Sequence, residues 1–227
     1  MPPLWLVIVS SCSLGLGFAS AGWIVFDVYW RGHRQHMAVM EAVWPLTALY
    51  FGPVAVWAYR RFGSVSMAGH GHEHSFARRP RWSGIALSVT HCGAGCVLGD
   101  IIAEFALFGL GASIAGQALY AEYVGDYLLA IAFGVVFQYL VISRMRRLRL
   151  REGLIAAAKS DVIALSAFEI GLFGWMALMQ FVFFPGPHLI PSSPVYWLFM
   201  QMGMGLGFLT SWPANAWLIR LGIKEAM

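Results

Sequence analysis

Four side chains able to hold a cation recur at every fourth position of the stretch THCGAGCVLGDIIAEFALFG: Cys92, Cys96, Asp100 and Glu104. On a helix this spacing drifts slowly around the axis, so two thiols and two carboxylates share one stripe. His91 is turned by roughly 100° from Cys92 and stands off that stripe. A lone histidine is more often a hydrogen-bonded core residue than a ligand, so His91 joins the candidate set in second place. The segment is apolar enough to cross a membrane, where a carboxylate facing lipid costs roughly 3 kcal/mol even on the gentlest insertion scale. Its acids must therefore point inward, toward a partner, water or an ion.

The next apolar segment supplies counterparts. Residues 111–116, GASIAG, read as a short turn, which makes the flanking segments an antiparallel hairpin. Counting outward from the turn puts Glu104 level with Glu122, and Asp100 level with Asp126 one turn deeper. If the two faces meet, four carboxylates converge in one half of the membrane and require a cation or a shared proton. Four oxygens suit protons in transit or hard ions such as calcium, magnesium and manganese, whereas thiols and thioethers suit copper(I). Soft groups are present too. MQMGMGLGF places Met200 and Met204 on one face with Met202 turned away, and Met176 and Met179 fall at a similar depth. Methionine is also a common core filler. Cys92 and Cys96 lie on one helix turn, a poor geometry for a mutual disulfide but a usable one for a pair of thiolate ligands. Glu169 lies between the acidic group and a more polar end containing Thr210, Ser211, Asn215, Asp161 and Lys159, where its protonation would couple ion passage. The loop GHGHEH adds His70, His72 and His74, and another loop adds His33 and His36 beside Met37 and Met40; both read as weak metal-capturing loops or as ordinary polar ones.

These groups need a scaffold, and composition defines it. With 59% hydrophobic residues and only 11% charged, a chain of 227 residues cannot hide its apolar side chains in one soluble core. Windows of about 20 apolar residues occur six times, at roughly 4–30, 37–59, 82–110, 117–143, 160–184 and 194–219. The expected fold is an all-α, six-transmembrane-helix bundle forming one domain over 1–227. The first segment has no basic start and runs past the length of a leader's apolar core, so it is expected to be a span. Thirteen of the fifteen basic residues fall in alternate loops and the tail; Arg31 and Arg34 are the exceptions. The positive-inside rule then puts both termini in the cytoplasm. The net charge of +4 follows from this topology and does not point to nucleic acid, because no basic patch forms on one surface.

The acids also have a plain structural reading, in which Asp27, Asp161 and Glu41 pair with Arg31, Arg34 and Lys159. Enzyme chemistry lacks its groups: no Gly-x-Ser-x-Gly, nucleotide loop or His-Glu-x-x-His is present. Paired Glu-x-x-His motifs for a dimetal centre are missing as well. Haem stays open only through mixed His91/Met ligation.

The blocks THCGAGCVLGD, KSDVIALSAFEIGLFGWMAL and MQMGMGLGFLTSWPANAWLIRLGIKEAM resemble the signature blocks of a bacterial polytopic membrane family catalogued only as a domain of unknown function. The likeness runs from about residue 80 to the C-terminus. It implies a bacterial membrane protein and carries over no reaction. The expected function is binding or transport of a metal cation in the bacterial inner membrane, copper first and another divalent ion second. Its expected site comprises Asp100, Glu104, Glu122, Asp126, Cys92, Cys96, His91, Met200, Met204 and Glu169. Lipid and the ion are the expected partners, with a homo-oligomer or membrane complex open. The alternative is a scaffold or accessory subunit whose buried acids serve helix pairing, and a proton-coupled solute carrier stands third.

Overall fold

Long apolar runs force the backbone to satisfy its own polar groups, and helices follow. The computed structural model describes residues 2–35, 37–63, 81–146, 149–186 and 188–224; the side chains of Arg81 and of residues 143–146 are outside that description. Seven helices appear in order: α1 Leu4–Tyr29, α2 Met40–Phe51, α3 Pro53–Ala58, α4 Arg81–Leu110, α5 Ala118–Arg146, α6 Leu150–Leu178 and α7 Pro194–Arg220. No strand occurs among the described residues. Among the described residues four stretches are long and apolar enough to cross a membrane: Leu4–Tyr29, Trp82–Leu110, Ala118–Ile142 and Leu150–Phe183.

Local chemistry explains the departures from the six windows. The second window is two helices, because Gly52 adopts φ 53° and Pro53 brings no N–H to continue the ladder. A wide π turn, Tyr59–Gly63, follows α3, and another, Met179–Phe183, ends α6. Helix α6 begins at Leu150, about ten residues before the apolar window, since the alanine-rich run after Gly153 favours helix while Arg151, Glu152 and Lys159 around it keep it outside the window. Pro194 opens α7, where Ser193 caps by accepting a bond from the Val195 N–H at 3.3 Å.

Side chains of α4, α6 and α7 meet in one buried cluster that includes Cys92, Cys96, Leu165, Phe168, Leu172, Met200 and Met204. Large apolar residues such as Leu4, Phe18, Leu128, Ile170 and Leu209 are exposed around the bundle, a surface compatible with contact to a lipid bilayer. The α4–α5 turn is tight: Gly111 and Gly116 take positive φ, and Ile114 pairs with Gln117. This turn defines the hairpin end of the bundle. The chain leaves α7 at the opposite, tail end.

A buried carboxylate chamber

Glycine sets the distance between α4 and α5. A Cβ on Gly95 would lie 2.7 Å from Gly134 Cα, and one on Gly99 only 2.6 Å from the Ala130 amide nitrogen. The two backbones can approach this closely because those positions have no side chain. Close approach brings Asp126 of α5 beside Asp100 and Glu104 of α4, with Glu122 next to Glu104. Glu169 arrives from α6 beside Asp100 and Asp126.

Asp100, Glu104 and Asp126 are fully buried, and Glu169 is 1% exposed. None of their eight carboxylate oxygens has a hydrogen-bond partner among the described residues. Tyr196 lies close to Glu104, yet its own buried hydroxyl also lacks a bond of good geometry. Glu122 is only half-buried and forms the side of the chamber toward the hairpin end. Coulomb repulsion among unit charges a few ångströms apart is costly in a low dielectric, so the group persists only with protons or a cation distributed over it.

The α4 stripe continues below the chamber. Cys96 adjoins Glu169 and, one turn further down, Cys92. The Cys92 thiol donates to Asp161 Oδ1 at 3.0 Å and accepts from Lys224 Nζ at 2.8 Å; Lys224 also makes a short ion pair with Asp161 Oδ1. Burial alone would pull the Lys224 ammonium down, but Asp161, and Cys92 with it, hold it above the ordinary lysine value. The buried Tyr50 hydroxyl from α2 lies beside Thr47, makes no hydrogen bond of good geometry among the described residues, and faces the stretch between the two thiols: a Cβ on Gly93 would lie 3.2 Å from it.

Other candidates fall elsewhere. His91 is fully buried with both ring nitrogens unbonded, and it tilts against Phe137 of α5 at 6.3 Å. Met200 and Met204 are buried in the central cluster, while Met202 is half-exposed. Among the described residues no group of three or more His, Cys, Asp or Glu is arranged to hold a metal ion. The hydroxyls of Thr210 and Ser211 donate to the Ala167 and Ala164 carbonyls, at 2.7 and 2.8 Å, and so join α7 to α6. Asp27 accepts from Tyr59 at 2.9 Å and pairs with Arg31 and His33, and Glu41 pairs with Arg34 at 2.7 Å. Asp161 takes Lys224 as its partner, and Lys159 is exposed. His36, His70, His72 and His74 lie outside the described residues.

Sequence reasoning missed the placement of Lys224, Tyr50 and Tyr196. A signal for Lys224 was present: Gly222 at φ 69° turns the chain back, and the Ile223 and Lys224 amides bond the Leu218 carbonyl at 3.1 and 3.3 Å. A glycine just past a helix end followed by an apolar residue is the mark of such a returning cap.

Among the described residues, the fold and site together define an all-helical protein of membrane type, built around buried acids without counter-ions. Residues 81–224 match the domain of unknown function DUF4396, and the chain belongs to that family. The matched region contains the whole chamber and reaches Lys224. No curated protein and no solved structure matches the chain.

Proposed function

We propose that this is a six-span protein of the bacterial inner membrane that admits a cation, a proton first and a hard metal ion second, into the carboxylate chamber from the outer side. In this reading α1, α2–α3, α4, α5, α6 and α7 each cross once. Arginines at the ends of α3, α5 and α7 support a cytoplasmic tail end with both termini on that side. The observation that carries the reading is the meeting of Asp100, Glu104, Asp126 and Glu169 in a buried space where no cationic side chain reaches them among the described residues. Helix pairing alone gives a poor account of such a group, because apolar residues would pack there without the ionic cost. The cation enters past half-buried Glu122, exchanges among Glu104, Asp126 and Asp100, and is passed to Glu169.

A copper(I) route is the second reading, favoured by the burial of Cys96, Met200 and Met204 in one cluster. It ranks lower because Cys92 already spends its thiol on Asp161 and accepts from Lys224.

Infrared difference spectra of the reconstituted protein test the proposal. Exchange from alkaline to acidic buffer should bring up the carbonyl stretch of protonated carboxylic acids, and adding manganese(II) should reduce it. Most of that signal should vanish in the D100N/D126N double variant. A double variant whose spectra match the wild type for both exchanges would remove the chamber from cation binding. A manganese-insensitive band in the wild type would leave the proton alone as the cation.

A further inference from the structure

One buried charge network lies outside the chamber: Lys224, Asp161 and Cys92 at the tail end. A lysine beyond the last helix has water within reach, yet the Lys224 side chain is fully buried against Asp161. Burying an ammonium is costly unless it is paired, and here the pairing partner sits on a different helix, sixty-three residues earlier. The Lys224 ammonium also touches Cys92, the innermost member of the α4 stripe whose outermost members form the chamber. Members of that stripe and the acids beside it are close enough to interact electrostatically: Cys92 with Cys96, Cys96 with Glu169, Glu169 with Asp100, and Asp100 with Asp126. The buried Tyr50 hydroxyl, beside Thr47, faces the one section of this file that contains only thiols. A small cation moving down the file meets Asp161 last. There an ammonium already occupies Oδ1, while Oδ2 has no hydrogen-bond partner.

We infer that Lys224 is a tethered cation: it fills the inner cation position at Asp161 and Cys92 and thereby closes the file to protons at the tail end. The inference rests on the chamber being a cation site and adds the route inward, the cation as a proton, and the residue that blocks its exit. Release requires the short segment after α7 to swing away from Leu218, to which two backbone bonds attach it, and the ammonium to leave Asp161 and Cys92.

Liposomes containing the purified full chain, loaded with potassium and polarised with valinomycin, report proton entry through an internal pH-sensitive dye. Lys224→Met should raise proton entry at least tenfold over wild type, and Lys224→Arg should restore the wild-type rate. Adding D100N/D126N to K224M should return the leak to the wild-type level, which locates it in the file. Lys224→Gln removes the charge but keeps a donor for Asp161 and should leak as K224M does, so poor folding of one variant does not decide the result. Proton entry no faster than wild type in both K224M and K224Q would overturn the inference, and so would a leak that persists with the chamber neutralised. The chamber reading is judged separately, since its infrared signal does not depend on Lys224.

Discussion

Two sets of buried acids, about two turns of α4 apart, are treated in opposite ways. At the tail end Asp161 has an ammonium, a thiol and a nearby amide network: Asn215 donates to Ser211, and its Oδ1 lies 3.8 Å from Cys92. In the chamber Asp100, Glu104, Asp126 and Glu169 have one another, Glu122, the Tyr196 hydroxyl and the Cys96 thiol, and no cationic partner among the described residues. The Asp27 knot, with Arg31, His33 and Tyr59, follows the tail-end pattern. The fold can therefore supply counter-ions to intramembrane acids and does so wherever an acid serves structure. Their lack in the chamber, among the described residues, is the ground for proposing a cation site there over a helix-pairing device.

The strongest way to break this contrast is to remove one partner from the satisfied region. Asp161→Ala leaves the Lys224 ammonium facing an apolar interior and should destabilise the protein by about 3 kcal/mol, the usual cost of stranding one member of a buried pair. Denaturant unfolding in mixed micelles measures this. Removing both partners, as D161N/K224M, should recover most of the loss. If the single and double variants were equally stable, the network would not be acting as an ion pair.

A smaller effect is expected where packing creates the chamber. Gly99→Ala puts a methyl 2.6 Å from the Ala130 amide nitrogen, and backbone cannot yield as a flexible side chain would. Separation of α4 from α5 should cost about 1–3 kcal/mol and weaken the acid-induced infrared signal, because Asp126 moves away from Asp100. Gly109→Ala on the same helix meets nothing within 4 Å and serves as the control, with unfolding expected within about 1 kcal/mol of wild type. Equal behaviour of the two variants would show that close helix approach does not define the site.

The sequence revealed the chamber's members better than its limits. Four-residue spacing and the short GASIAG turn were enough to suggest that Asp100, Glu104, Glu122 and Asp126 could share a space, since both features depend only on helix geometry. The contacts of Glu169 depend on how α6 rotates against α4, and no local pattern encodes that angle. Lys224 was legible only as a positive charge in a tail; its return depends on the cap at Gly222 and on an acid far away in sequence. Helix α2 shows the opposite problem. Its apolar window was correctly seen as helical, yet hydropathy is blind to the break that Gly52 and Pro53 impose.

The smallest change in stability sharpens the contrast most, because its sign differs between the two regions. Asp126→Asn keeps the shape and removes a group that can ionise among three other buried acids. Where an acid has a cationic partner, this replacement discards attraction; in the chamber it discards only repulsion and desolvation cost. Unfolding of D126N should therefore shift by less than about 1 kcal/mol, and toward greater stability, whereas Asp27→Asn should destabilise by about 1–2 kcal/mol through the weakened Arg31, His33 and Tyr59 contacts. Parallel unfolding curves of the two variants, measured in the same micelles, give both signs at once. Destabilisation of D126N matching that of D27N would mean that Asp126 has a counter-ion after all, and the two regions would no longer differ in kind.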